Sequence, residues 1–113
     1  MKPATFCCWL FALLSLPALA DENVYHLQIR NHLFYPDVLT VPAGIRFKLI
    51  IQNEDPSPEE FESFELNREK VIMGGATATV FIGPLKAGTY PFFGEFNPET
   101  AQGKMIAQPV TSP

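Results

Sequence analysis

Cysteine is nearly absent from this chain. Only two cysteines occur among 113 residues, and both lie in the first eight. Residues 1–20 have a positive start, an apolar run and the small-residue sequence Ala18-Leu19-Ala20, which together are typical of a secretory signal peptide. We predict a signal peptide over 1–20, export to the periplasm, and one mature domain over 21–113; an uncleaved anchor is the alternative. That domain would contain no thiol, which excludes a disulfide scaffold and cysteine chemistry.

Positive charge is also scarce. The chain has eight Lys and Arg residues and twelve Asp and Glu residues, so its formal net charge is −4. No basic cluster is present that would bind nucleic acid or an anionic membrane surface. We therefore expect neither nucleic-acid binding nor membrane insertion after signal cleavage, and an acidic surface that attracts cations.

Sequence patterns of the common hydrolytic and phosphate-binding sites are missing. The chain contains no phosphate-binding G-x-x-x-x-G-K sequence and no C-x-x-C pair. Histidine is limited to His26, which we expect to be exposed on a strand, and His32 at a strand end. These absences argue against a hydrolase.

Long amphipathic helical patterns are absent, whereas alternating apolar residues recur between turn signals. Such short alternating segments at regular spacing predict an all-β sandwich or barrel. The clearest segment is 45–53, in which apolar residues occupy every second position. Strands are predicted over seven segments: 24–30, 34–41, 45–53, 61–66, 76–82, 88–93 and 103–110.

Several of these segments together resemble the cupredoxin family. They are Phe34-Tyr35-Pro36, Val41-Pro42-Ala43-Gly44, a strand ending at Asn53, and Gly83 to Tyr90 leading into a loop that ends at Gly103. The resemblance spans most of 24–110 and implies a cupredoxin-like Greek-key β-sandwich. Other family properties are expectations from this likeness.

The copper ligands of that family are missing here. Their positions read Glu within Glu59-Glu60-Phe61 for the first His, Gly94 for the Cys, Asn97 for the second His and Thr100 for the Met. Type 1 copper requires two His, a Cys thiolate and usually a weak axial ligand. We therefore expect no type 1 copper.

A narrower likeness concerns 59–70 and 93–96, which resemble the EfeO-type cupredoxin-like domains of bacterial periplasmic iron uptake. The likeness implies a role in ferrous iron uptake, with a membrane iron permease or a redox protein as partner. In that subgroup a His often follows Gly-Glu-Phe, where this chain has Asn97, so metal binding here would be weaker or altered.

Carboxylates are the donors that remain. Four glutamates occur within residues 59–65. Glu60 and Glu62 lie on the same face of a strand, because successive side chains of a strand point to opposite faces. If the fold is a cupredoxin, Glu95 approaches the same place, and carboxylate oxygens suit iron better than Cu(I). The first-choice metal ligands are thus Glu60, Glu62 and Glu95. Three further candidates stand behind them: Glu59, Glu65 and His32.

Three other interpretations stay open. The acidic run is also typical of a solvated face, in which Arg68 and Lys70 pair with some of the carboxylates. The fold alone would suit a metal-free adaptor of a transport or redox complex, and Met and His side chains suit a copper-binding protein. Met73 and Met105 are, however, most simply core residues. An all-carboxylate site favours Fe(III) over Fe(II), yet the electron would need an external acceptor, so enzymatic iron oxidation stays undecided.

Overall fold

The computed structural model describes residues 23–110, and the predicted signal peptide at 1–20 lies outside them. Nine strands, and no helix that could cross a bilayer, occur in this described part. The strands are β1 Val24–Arg30, β2 Leu33–Tyr35, β3 Val38–Pro42, β4 Phe47–Asn53, β5 Glu59–Ser63, β6 Arg68–Ile72, β7 Thr77–Ile82, β8 Gly88–Gly94 and β9 Gln102–Gln108.

The strands form two mixed sheets that pack face to face. The first sheet has the order β2-β1-β4-β7 and the second β3-β9-β8-β5-β6. Within them β1 runs parallel to β4 and β3 parallel to β9, while the remaining pairs are antiparallel. The predicted all-β Greek-key sandwich is confirmed.

Alternation along each strand builds the core. On β4, Phe47, Leu49 and Ile51 are buried, as the apolar pattern predicts, and Lys48 faces outward. On β9, Met105 is fully buried, as predicted. Met73 is 60% exposed, contrary to the core prediction, because it follows β6 at the start of the turn that reverses the chain.

Three phenylalanines join the two sheets next to the loops of one end. Phe34 from β2 meets Phe92 from β8 edge to face at 5.0 Å, and Phe61 from β5 lies 5.2 Å from Phe92. Edge-to-face aromatic pairs add about 0.5–1.5 kcal/mol beyond their buried area. The start of β5 and the end of β8 are therefore held at fixed positions.

The loops at this end are tied to each other by hydrogen bonds. Asn31 and His32 form the two-residue turn between β1 and β2, with φ of 55° and 60°. Their N–H groups donate to the Asp55 carboxylate at 2.7 and 2.9 Å. Thr100 Oγ1 donates to the His32 carbonyl at 2.7 Å. We call this end the pole; it comprises the loops 31–32, 54–58 and 95–101.

Three strand predictions need correction. The segment 34–41 was predicted as one strand, but it is interrupted at 36–37 and divides into β2 of the first sheet and β3 of the second. The segment 61–66 was predicted as a strand, but β5 begins earlier, at Glu59, and ends at Ser63, where 64–67 turn. Sequence patterns predicted no strand over Arg68–Ile72, because four of its five residues are exposed and three are charged. This strand, β6, pairs with β5 along the edge of the second sheet.

Candidate metal centre

Strand β5 sends carboxylates to opposite sides of its sheet. Glu59 is 1% exposed and points into the sandwich, whereas Glu60 and Glu62 lie on the outer face and are half-buried. Alternation alone produces this division, because successive side chains of a strand point in opposite directions. Two separate carboxylate environments result, one inside the pole and one outside it.

Inside the pole, the Glu59 carboxylate accepts three hydrogen bonds. The backbone N–H of Phe96 donates to Oε1 at 2.9 Å, and Asn97 Nδ2 donates to Oε2 at 2.9 Å. The N–H of Glu60 also donates to Oε1, at 3.0 Å. A buried carboxylate is tolerated only when its oxygens are hydrogen-bonded or paired, and here both are.

The absence of a side chain at Gly94 makes room for this carboxylate. A Cβ at Gly94 would lie 2.6 Å from the Glu59 carboxyl carbon and 2.7 Å from the Ala101 Cβ. Both distances are shorter than any ordinary carbon contact, so a side chain at 94 would displace the carboxylate. The Glu59 side chain and the missing side chain at 94 therefore fit each other.

The positions that the sequence likeness marked as replaced ligands do meet at the pole. The Glu59 carboxylate accepts a hydrogen bond from the Asn97 amide and occupies the space that a side chain at 94 would fill. The Thr100 hydroxyl donates to the His32 carbonyl in the neighbouring turn. The groups at these positions are carboxylate, amide and hydroxyl, without thiolate or imidazole. This set does not fit type 1 copper, which requires sulfur and two imidazoles.

Outside the pole, three carboxylates converge on the outer face of the second sheet. Glu60, Glu62 and Glu69 each offer an oxygen, and these oxygens lie within 4.8 Å of one another. Glu62 of β5 stands directly opposite Glu69 of β6 in the strand register. We call these three residues the outer-face cluster.

The outer-face cluster has no neutralising cation among residues 23–110. Arg68 Nε donates instead to the Phe81 carbonyl at 2.9 Å, toward the other sheet. Lys70 is opposite Phe61 in the register, on the side away from Glu62. The predicted pairing of Arg68 and Lys70 with the acidic run is therefore wrong, because β6 turns both toward its other side.

Repulsion within the cluster affects protonation. Partial burial, then the charge of Glu69 and that of Glu95, raises the pKa of the Glu60 carboxyl above its usual value. Partial burial and the charges of Glu69 and Glu60 likewise raise the pKa of Glu62. A bound cation would relieve this repulsion and favour the ionised forms.

Glu95 lies beside the cluster without joining the closest three. Its backbone N–H donates to the Glu60 carbonyl at 2.9 Å, and its charge acts on both Glu60 and Glu62. Glu60 and Glu95 thus lie at the same end of the sandwich, as the sequence-based site requires. Glu65 is exposed in the β5–β6 turn, outside the cluster.

His32 belongs to a different contact. Its Nδ1 lies 3.5 Å from Asp55 Oδ2, and its side chain is 46% exposed. This imidazole therefore pairs with the carboxylate that holds its own turn. Of the six candidate ligands, the structure brings Glu60 and Glu62 together, with Glu95 adjacent, and places Glu59 inside the pole.

Glu69 was not among the candidates, although it completes the cluster. The sequence signal that points to it is the charged edge segment 68–72 after the turn at Asn67, whose φ is 57°. Pairing that segment as a hairpin with β5 would have placed Glu69 opposite Glu62. Because no strand was predicted over it, the segment gave no reason to choose this carboxylate.

Comparison with known proteins supports the same architecture. The family model described as "Cupredoxin-like domain" matches residues 3–107. A Rickettsia prowazekii (strain Madrid E) protein, named "Uncharacterized protein RP394", is 39% identical over 92 residues, covering 80% of this chain and 74% of that one.

Solved cupredoxin structures are similar in fold at low sequence identity. The metal-binding domain of the Cu(I)-exporting P-type ATPase CopA of Streptococcus pneumoniae D39 gives a TM-score of 0.68 at 15% identity, covering 80% of this chain and 92% of that one. Auracyanin of Roseiflexus castenholzii gives 0.66 at 13% identity, with 78% and 98% covered. Amicyanin of Paracoccus versutus gives 0.59 at 19% identity, with 80% and 85% covered.

Proposed function

Because the chain belongs to the cupredoxin-like domain family, we propose that it is an exported member that binds iron through carboxylates instead of copper. Its site is the outer-face cluster, with Glu95 as a neighbouring fourth carboxylate. The bound ferrous or ferric ion is then handed to a membrane iron permease. The likeness of 59–70 and 93–96 to EfeO-type domains supports iron as the cargo.

The observation that carries this proposal is the uncompensated charge of the cluster. Three carboxylate oxygens lie within 4.8 Å, while both nearby cations bond or point elsewhere. Oxygens 4.8 Å apart would sit on opposite sides of an ion with bonds of about 2.4 Å, as for Ca²⁺. Since the oxygens are at most 4.8 Å apart, a transition-metal ion with bonds near 2.1 Å needs at most a slight approach of the side chains, which exposed and half-exposed glutamates allow.

Charge also bears on the redox role of the cluster. Fixed anions interact more strongly with Fe(III) than with Fe(II), so binding here makes the ion easier to oxidise. The hydrogen-bonding groups around Glu59 do not fit a type 1 copper ion that could accept the electron. The proposed role is therefore binding and transfer, with any oxidation depending on an external acceptor.

Anaerobic Fe(II) titration calorimetry tests the proposal. The protein is expressed with its first 20 residues and recovered from the periplasmic fraction, and its mass shows whether that segment has been removed. We expect one bound ion per chain. Glu62→Gln and Glu69→Gln should each lower the affinity by at least about tenfold, since even outer-shell changes at metal sites cost that much.

Glu65→Gln is the matched control, because it removes the same charge from an exposed position two residues after β5. Its affinity should stay close to that of the unmodified protein. Equal losses in all three variants would indicate diffuse charge attraction rather than a site. Parallel titrations with Ca²⁺ and Mn²⁺ rank the ions, and Cu(I) binding that survives the glutamate substitutions would favour a Met and His copper protein instead.

A metal-free adaptor is the second candidate, because an aromatic pair with one exposed ring borders the cluster. Phe64 is 73% exposed and lies 5.6 Å from the Phe93 ring, which is opposite Glu62 in the register. Large exposed aromatic side chains are common in protein interfaces. Absence of any heat signal with Fe(II), together with loss of a pulled-down membrane partner in Phe64→Ser, would support the adaptor.

A further inference from the structure

The pole is organised around the Glu59 side chain, which none of the proposed iron chemistry uses. Its carboxylate receives the Phe96 N–H and Asn97 Nδ2 from the loop after β8, and the Glu60 N–H from its own strand. Glu59 is 1% exposed, so these bonds form away from water. They connect β5 to a loop that is distant in sequence.

The anchored loop is a compact turn with its own bonds. Ala101 N–H donates to the Asn97 carbonyl at 2.9 Å, and Gly94 N–H to the Ala101 carbonyl at 2.8 Å. The same anchoring leaves the Glu95 N–H 2.9 Å from the Glu60 carbonyl. One carboxylate thereby fixes where Asn97 lies and how the loop approaches β5.

We infer that Glu59 is a positioning residue, a buried carboxylate latch that orders residues 94–97 without any metal ion. In this arrangement the loop is fully formed in the metal-free protein. The two buried carboxylates at the pole, Glu59 and Asp55, already accept hydrogen bonds from protein donors. The latch concerns the metal-free protein, and it stands or falls independently of iron binding at the outer-face cluster.

Only an acceptor with two oxygens satisfies this geometry. All three partners are donors, so the group at 59 must accept at both ends. Asn97→Asp would set two carboxylates face to face at a contact that now measures 2.9 Å, where like charges repel. Adding Glu59→Gln restores one donor and one acceptor across the same contact, with the donor now on residue 59.

Amide hydrogen exchange in the presence of a chelator tests the latch. In Asn97→Asp the Phe96 amide should exchange at least about tenfold faster, a local loss of about 1.4 kcal/mol. In the double variant Glu59→Gln with Asn97→Asp, the rate should return to within about threefold of the original. Amides of β4 serve as the internal control and should change much less than Phe96.

Such rescue distinguishes a specific contact from general damage, because two harmful substitutions would otherwise add. An unchanged Phe96 rate in Asn97→Asp, or a double variant that exchanges as fast as that single variant, would overturn the inference. Should Asn97→Asp fail to fold, recovery of folding in the double variant supports the latch, and failure of both contradicts it. Ordering of the loop only after Fe(II) addition would also contradict it.

Discussion

Glu59 and Glu60 are adjacent in the chain and have opposite environments. Glu59 is buried and accepts three hydrogen bonds, two of them from the β8–β9 loop. Glu60 is half-buried, faces two other carboxylates within the outer-face cluster, and has a raised pKa. Adjacent positions on one strand thus hold a carboxylate that is hydrogen-bonded by protein donors and a carboxylate that is repelled by neighbouring carboxylates.

The contrast shows how burial alone misleads in the search for a binding site. The more buried carboxylate has its acceptor capacity occupied by protein donors, so it contributes to structure. The less buried carboxylates have spare lone pairs and mutual repulsion, both of which a cation can use. Function is expected where acceptors lack donors, which here is outside the pole.

Removing the carboxylate at each position separately tests this contrast most strongly. Glu59→Ala leaves three N–H donors at the pole without their acceptor, and we expect a loss of about 2–4 kcal/mol in the free energy of unfolding. Glu60→Ala should leave the unfolding midpoint unchanged or slightly higher, because it removes repulsion. Urea denaturation compares the two, and equal losses would break the comparison.

A methyl group at Gly94 perturbs the pole by crowding. Gly94→Ala places a Cβ 2.6 Å from the Glu59 carboxyl carbon, and overpacking of this kind costs about 1–3 kcal/mol. Glu95→Ala, at the next and exposed position, is the control and should cost much less. Thermal unfolding measures both, and a Gly94→Ala protein as stable as the original would contradict the tight fit around Glu59.

Competition between protons and Fe(II) tests the outer-face cluster, to which Glu60 belongs. Since the pKa values of Glu60 and Glu62 are raised, Fe(II) affinity should fall as pH decreases through those values. The loss should be on the order of tenfold per pH unit for each proton displaced. Calorimetry in two buffers of different ionisation enthalpy counts the released protons. An affinity that does not fall between pH 7 and the ordinary glutamate pKa of 4.5 would exclude this cluster as the site.

The smallest expected effect is on stability without metal. The pKa values of Glu60 and Glu62 are raised in the folded protein, so the folded state binds more protons than the unfolded state does. The free energy of unfolding therefore falls as the pH rises from the ordinary glutamate pKa through the raised pKa. Glu69→Gln removes the chief repelling charge and should flatten that fall, giving a slightly higher Tm at pH 7. A lower Tm would show that Glu69 makes a stabilising contact instead.

Most strands could be predicted because apolar residues occupy every second position in their sequences, and these are the residues that the sandwich buries. The segment 45–53 is an example, with β4 confirmed over Phe47–Asn53. At the predicted strand 88–93, the Tyr90 hydroxyl donates to the Lys86 carbonyl at 2.7 Å. Phe92 and Phe93 lie on opposite faces, as alternation requires. Edge strand β6 could not be predicted, since it buries only Ile72.

The candidate site was predictable in part. Glu60 and Glu62 share a face because they are two residues apart, which sequence spacing fixes. Glu69 required knowledge of the β5–β6 register, whereas the cupredoxin likeness already predicted Glu95 beside this strand. Glu59 itself looked like another member of the acidic run, since its partners Phe96 and Asn97 lie 37 and 38 residues away.

The amino-acid sequence by itself determined the all-β class, the alternation of β5 and the absence of sulfur and imidazole at the positions that match the family's copper ligands, because these depend on residue type and on contacts between near neighbours. The tertiary structure alone decided which carboxylates face a cation and which are already bonded. That decision depends on strand register and on donors distant in the chain, and a one-residue change of register would exchange the two faces of β5.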